Sequence, residues 1–143
     1  MLHRAAAADL PAVEALLEAA TLPTAGVADH VDTLWVWRDR GKVIGCIGFE
    51  AYGSVALLRS LVVDPAHRGA GLGKRLIGAG VAEMRRAHVS RGYGLTTTIA
   101  PLLARLGWKE VPRTALPPAL GTSQELSGAC PASAVAFRLD LAT

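Results

Sequence analysis

The segment VVDPAHRGAGLGKRL, Val62 to Leu76, sets three glycines (Gly69, Gly71, Gly73) among three cationic side chains (Arg68, Lys74, Arg75). Glycines let successive backbone N–H groups turn toward one point without interference from a Cβ. A helix beginning there adds the partial positive charge of its N-terminus, and Lys74 and Arg75 can add side-chain charge. The chemistry implied is the cradling of a phosphate or pyrophosphate. Two familiar phosphate loops do not fit. The pattern G-x-x-x-x-G-K-[ST] needs a glycine where Arg68 stands and a hydroxyl where Arg75 stands. The pattern G-x-G-x-x-G fails because, counted from Gly69 or Gly71, the last glycine is misplaced. What the segment does match is R-x-x-G-x-G, with Arg68, Gly71 and Gly73.

A second pair of chemical groups lies upstream, in GFEAYGSVALLRS. Gly53-Ser54 suits a two-residue hairpin turn. Counted back from that turn, Glu50 lies opposite Leu57 and Gly48 opposite Arg59. Side chains two apart share a face, so Glu50 and Arg59 become diagonal neighbours. A carboxylate there can take a proton from an ammonium group, directly or through water, and a guanidinium can grip a carboxylate or similar oxyanion. The structural alternative is an ion pair that stabilises the hairpin, or a solvent-exposed Glu50. A guanidinium in an otherwise apolar strand is costly unless paired. Ser60, beside it, is a weaker substrate contact that also suits a bond to backbone.

These groups need elements to position them. Asp9 reads as an N-cap with Pro11 in the first helical turn, and Leu10, Val13, Leu16, Leu17 and Ala20 recur at helical spacing. HRAA is a short first strand at best, and GVADHVD a short second helix. LWVWRD, VIGCIGFEAY and VALLRSLVVD read as successive antiparallel strands, the last apolar on both faces as in mid-sheet. A helix from about Leu72 to His88 follows the glycine loop, then a strand YGLTTT, which makes a right-handed parallel βαβ unit. APLLARLG is a short helix ended by Gly107, WKEVPR a strand, PPALGTSQELSG a helix or turn, and AVAFRLDL a final strand. The expected fold is mixed α/β: a mostly antiparallel central sheet with one parallel crossover. It forms a single domain over residues 1–143.

With the loop placed after LVVDP at the end of a central strand, the chain resembles the GNAT superfamily of N-acetyltransferases over about Leu2 to Leu141. The resemblance is most specific from Leu57 to Trp108. It implies acetyl-coenzyme A as cofactor, with its pyrophosphate on the loop Arg68, Gly69, Ala70, Gly71, Leu72, Gly73 and Lys74. It implies that Leu61, Val62 and Val63 pair with the pantetheine arm beside a bulge and a V-shaped gap. The Val62 N–H would polarise the thioester carbonyl, and Glu50 would reach the space where other members place their base. The family's N-x-x-A-x-x-[FY]-Y-x-x-x-G-[FY] pattern, anchored on Gly107-Trp108, is only partly kept. Thr96 fills the asparagine position, a cofactor contact by the resemblance, and Leu103 fills the position of the tyrosine acid. The glutamate base of the histone-modifying branch falls near Leu57, which weakens a protein-lysine substrate.

The stretches LPTAGV, GFEAYGSVALLRSLVV, LTTT and CPASAVAF are similar to arsenic-resistance N-acetyltransferase-like and short N-acetylglutamate-synthase-like proteins. The resemblance implies a small-molecule amine, either a glutamate-like amino acid or its arsenic or phosphorus analogue. Arg59 and Ser60 are then the substrate contacts. Cys130 is a buried apolar residue or a further substrate contact, with no base nearby to activate it.

Composition limits the rivals. The 143 residues are 51% hydrophobic and 19% charged, a globular balance. No apolar run approaches the roughly 20 residues that span a bilayer, and Asp9, Glu14 and Glu18 interrupt the alanine-rich start, so a cytoplasmic location is expected. Cys46 and Cys130, and the scattered His3, His30, His67 and His88, match no metal-site spacing, so no metal is expected. The net charge of +3 concentrates between Arg68 and Arg91, which raises nucleic acid as a partner, but aromatics are only 5% and no stacking motif accompanies it. An acyl-CoA sensor that keeps the cradle without chemistry is the other alternative. Dimers are common in the superfamily, which makes a homodimer a candidate assembly.

Overall fold

The computed structural model describes residues 2–122 and 134–141. Seven strands form one sheet: β1 (Leu2–Arg4), β2 (Leu34–Asp39), β3 (Lys42–Tyr52), β4 (Val55–Val63), β5 (Arg91–Thr96), β6 (Lys109–Val111) and β7 (Val135–Asp140). Their spatial order is β1-β2-β3-β4-β5-β7-β6, so the apolar β4 lies mid-sheet. Among the described strands only β4 and β5 pair in parallel, and the helix between them, α2 (Leu72–Arg86), is the crossover. This is the mixed α/β fold expected from the sequence.

Alternation along the strands divides the core into two layers. Ile47, Phe49, Ala56 and Leu58 face α2, packing with Leu72, Leu76, Ile77 and Met84 and with Leu103 of α3 (Ala100–Arg105). Val36, Cys46 and Val62 face the other way, against Val13 and Leu17 of α1 (Leu10–Ala19). Residues on that second face, opposite α2, include Glu50 and Arg59. No helix among the described residues is long and apolar enough to cross a membrane.

Several boundaries differ from expectation for physical reasons. Asp9 does not cap α1 with its side chain. It reaches back instead to accept the Ala6 N–H at 2.8 Å and pairs with Arg38. The Ala6 amide is the main influence holding its carboxyl below the usual range, burial opposes it, and Arg38 adds to the lowering. Strand β5 ends at Thr96 rather than Thr98. The Thr96 hydroxyl accepts the N–H groups of Thr98 and Ile99 at 3.1 and 2.9 Å and turns the chain into α3. GVADHVD forms a 3-10 segment, Ala28–Thr33, kinked at His30 (φ −119°, ψ 27°), rather than an α-helix. Helix α2 stops at Arg86, two residues early, where His88 adopts a left-handed φ of 62° and the Val89 N–H returns to the Met84 carbonyl.

Candidate active site

The β3–β4 hairpin has the register read from its turn. Glu50 is opposite Leu57 and Gly48 opposite Arg59. Past that point the register slips: Cys46 pairs with Val62, leaving one extra residue on β4. The extra residue is a β-bulge, and Ser60 carries it at φ 60°, a conformation that L-residues adopt at a cost of about 1–2 kcal/mol. Approaching the bulge β4 leaves β5. Their parallel pairing ends at Leu58 and Gly94, while β5 continues to Thr96 paired with β7. The splay opens a cleft between the two strands. Leu58, Arg59, Ser60 and Leu61 form one wall and Gly94, Leu95 and Thr96 the other, with Thr21, Leu22 and Pro23 at the edge.

The bulge also decides which backbone groups face the cleft. The Cys46 thiol donates to the Ser60 carbonyl at 3.1 Å, so that carbonyl points toward β3. The peptide is trans, so the Leu61 N–H points away from that carbonyl, and Leu61 lines the cleft. The Val62 N–H turns back to Cys46, where it opposes the effect of burial on the thiol. The Asp64 N–H bonds the Ile44 carbonyl at 2.7 Å, and ladder alternation then puts the Val63 N–H on the cleft side. The Val62 amide, expected from the resemblance to polarise the carbonyl, is engaged toward Cys46 within the sheet. The bulge residue inverts the alternation, and nothing in LLRSLVV marks where it falls.

Arg59 and Glu50 do form an ion pair, with Nη1 to Oε2 at 2.5 Å. It is buried, with side chains 2% and 0% exposed, so a solvent-exposed Glu50 is ruled out. The Arg59 Nε donates to the Ser60 hydroxyl at 3.1 Å. Its Nη2 is buried and has no hydrogen-bond partner among the described residues. A guanidinium N–H left unpaired in a cleft wall is costly unless something fills the place. Two neighbours of Glu50 were not foreseen. The Tyr52 hydroxyl donates to Oε1, and the His30 Nε2 lies 3.7 Å from the same oxygen. Tyr52 was legible, two residues from Glu50 on the same face. His30 arrives through tertiary packing alone.

The glycine loop has the form a cradle needs. Gly71 stands at the N-terminus of α2 with φ 78°, and Gly69 has φ 90°. The first helical bond here runs from the Arg75 N–H to the Gly71 carbonyl at 3.2 Å, so the N–H groups of Leu72, Gly73 and Lys74 lack helical partners. A Cβ added at Gly69, Gly71 or Gly73 would meet no atom within 4 Å. Packing within the chain does not demand glycine there, while a ligand approaching the backbone would. Ala70 and Lys74 are exposed and Leu72 is buried under the helix. Arg68, also exposed, folds its Nε back to the Val63 carbonyl at 3.2 Å, tying the loop to the end of β4.

Leu103 is 2% exposed and lines the cleft without an ionisable group. Thr96 lines the same wall, but its hydroxyl oxygen already accepts two amides. Cys130 lies outside the described residues. Among those residues no group of three or more His, Cys, Asp or Glu gathers to hold a metal. Burial pushes the Cys46 thiol up to about 12. In a Cys130→Ser protein, Cys46 should therefore resist a thiol reagent at pH 8 until the chain is unfolded. Rapid labelling of the native protein would show that the thiol is reachable and ionised.

Residues 5–107 match the model of the acetyltransferase (GNAT) family, and the chain belongs to that family. A sequence search of curated proteins returned no match. Among solved structures, the fold is similar to Rv2747 from Mycobacterium tuberculosis in complex with CoA and NLQ. The TM-score is 0.82 at 21% identity, with 99% of each chain covered. It is also similar to N-acetylglutamate synthase from Neisseria gonorrhoeae complexed with coenzyme A and N-acetyl-glutamate (TM-score 0.84, 19% identity). There the whole of this chain is covered but only 35% of the other, so it spans about a third of that enzyme. Salmonella typhimurium yncA with acetyl-CoA is a further likeness (TM-score 0.71, 18% identity, covering 100% of this chain and 94% of that one).

Proposed function

We propose that the protein transfers an acetyl group from acetyl-CoA to the amine of a small molecule that carries an acidic group. The observation that carries the acidic group is the buried, unpartnered Nη2 of Arg59 in the cleft wall, one residue from the bulge. Acetyl-CoA supplies an activated thioester when bound. The amides from Gly69 to Lys74 suit its pyrophosphate, with Arg68 and Lys74 adding positive charge. The Leu61 N–H donates to negative charge developing on the carbonyl oxygen. Arg59 orients the acidic group so that the amine faces the thioester, and Glu50 takes the proton that the ammonium must lose. With Leu103 in place of an acid, the sulfur departs as thiolate.

Support for a glutamate-like substrate comes from the likeness to the N-acetylglutamate synthase complexed with N-acetyl-glutamate. The arsenic and phosphorus oxyacid analogues of glutamate present the same kind of anion to Arg59. The test is release of free thiol from acetyl-CoA against a panel of amines. L-Glutamate and its oxyacid analogues should exceed amines lacking any anionic group by tenfold or more in kcat/KM. Equal rates across the panel would remove Arg59 as an anion clamp.

A further inference from the structure

We propose that His30 is the route by which protons leave the site, a reading that rests on Glu50 as the proton acceptor. The Glu50 side chain is 0% exposed, so a proton it accepts has no direct way to water. Among the described residues, Arg59 from β4, Tyr52 from β3 itself, and His30 from the 3-10 segment face it. A guanidinium does not give up its proton in a protein, and a phenol ordinarily keeps its own to about pH 10. Imidazole is the side chain that changes charge near neutrality. The His30 ring is also 32% exposed, with one edge toward Glu50 and access to solvent.

The local structure fixes that placement. A Cβ at Gly48 would stand 3.0 Å from the Thr33 carbonyl oxygen, so glycine lets the 3-10 segment lie directly on β3. The Thr33 hydroxyl bonds the Phe49 carbonyl and pins the segment there. The kink at His30 belongs to the same segment. The separation of 3.7 Å is longer than a hydrogen bond. One water can bridge such a separation, and a small cavity lined by His30, Thr33, Arg59 and Ser60 lies beside the imidazole.

The step balances without redox chemistry. The substrate ammonium N–H bond breaks and its electron pair stays on nitrogen. The proton bonds to a Glu50 oxygen, passes to the His30 imidazole, and the imidazolium releases one proton to bulk water. The net change is one proton moved from substrate to solvent.

His30→Gln tests this, since a half-exposed position tolerates the change without loss of the fold. With acetyl-CoA and L-glutamate as probe amine, thiol release should fall about tenfold or more in kcat, within the range of acid–base contributions. Acetyl-CoA affinity should stay unchanged, and added imidazole should restore part of the rate. Wild-type kcat with no response to imidazole overturns the exit. Glu50→Asp, which keeps the charge but withdraws the carboxylate, separates the two readings. If it retains wild-type kcat, the acceptor role fails. If it loses kcat while His30→Gln does not, only the exit fails. A readout without turnover is the 13C shift of the Glu50 carboxyl. In the wild type it should show a pH-dependent step, and in His30→Gln that step should vanish. No step in the wild type overturns the coupling.

Discussion

Gly71→Leu should leave a folded protein that no longer binds acetyl-CoA. Two effects have to be separated. Gly71 has φ 78°, and an L-residue there pays about 1–2 kcal/mol of left-handed strain. Its Cβ position is otherwise open, so the side chain meets no protein atom and the fold survives. The same open space is where a pyrophosphate must approach the loop amides. Filling it removes at least two charge-assisted hydrogen bonds of about 1.5–3 kcal/mol each. That corresponds to a loss of roughly a hundredfold or more in affinity. Gly53 supplies the control. It too has a left-handed φ, 66°, with nothing within 4 Å, but it sits in the β3–β4 turn, past the far end of β4 from the loop. Gly53→Leu should lower thermal stability by a similar amount and leave the cofactor dissociation constant unchanged. Thermal melts and calorimetric titration with acetyl-CoA check both. Undiminished binding in Gly71→Leu would remove the cradle.

What the sequence disclosed follows from the range of the interactions concerned. The β3–β4 register was legible because Gly53-Ser54 is a local turn signal and alternation then propagates over five residues of each strand without further information. The Glu50–Arg59 diagonal came from the same counting, and the ladder holds it where counted. The glycine loop was legible because backbone freedom is encoded residue by residue. The bulge was not, since Ser60 takes up a left-handed conformation that serine does not announce. One inserted residue then shifts the pairing, from Gly48 with Arg59 to Cys46 with Val62. His30 was hidden for a different reason. Its approach to Glu50 depends on Gly48 lacking a side chain and on Thr33 bonding Phe49, contacts spanning about twenty residues of sequence. Thr96 is a cofactor contact by the resemblance, whereas the local turn between β5 and α3 already occupies its oxygen.

Arg59 should give opposite results to two substitutions because it serves the fold and the site through different nitrogens. Arg59→Met removes Nη1 from a carboxylate that is 0% exposed. An uncompensated buried charge of this kind costs about 3–5 kcal/mol, so this variant should be strongly destabilised or unfolded, and its kinetics would report only that. Adding Glu50→Leu removes the stranded charge. The double variant should recover most of the lost stability, since well-packed apolar residues replace a buried pair at little net cost. It should have no measurable transferase activity. Arg59→Lys keeps a cation beside Glu50 and the fold with it, but a single ammonium cannot also supply the donor at the Nη2 position. Losing one charge-assisted hydrogen bond, about 1.5–3 kcal/mol, should raise KM for an acidic amine by roughly ten- to a hundredfold. KM for acetyl-CoA should stay within about twofold, because none of the loop amides is touched. Equal rises in both constants would mean that Arg59 shapes the cleft as a whole. Unchanged constants for both would mean that Nη2 meets no substrate anion, and the acidic group would have to be sought elsewhere in the cleft.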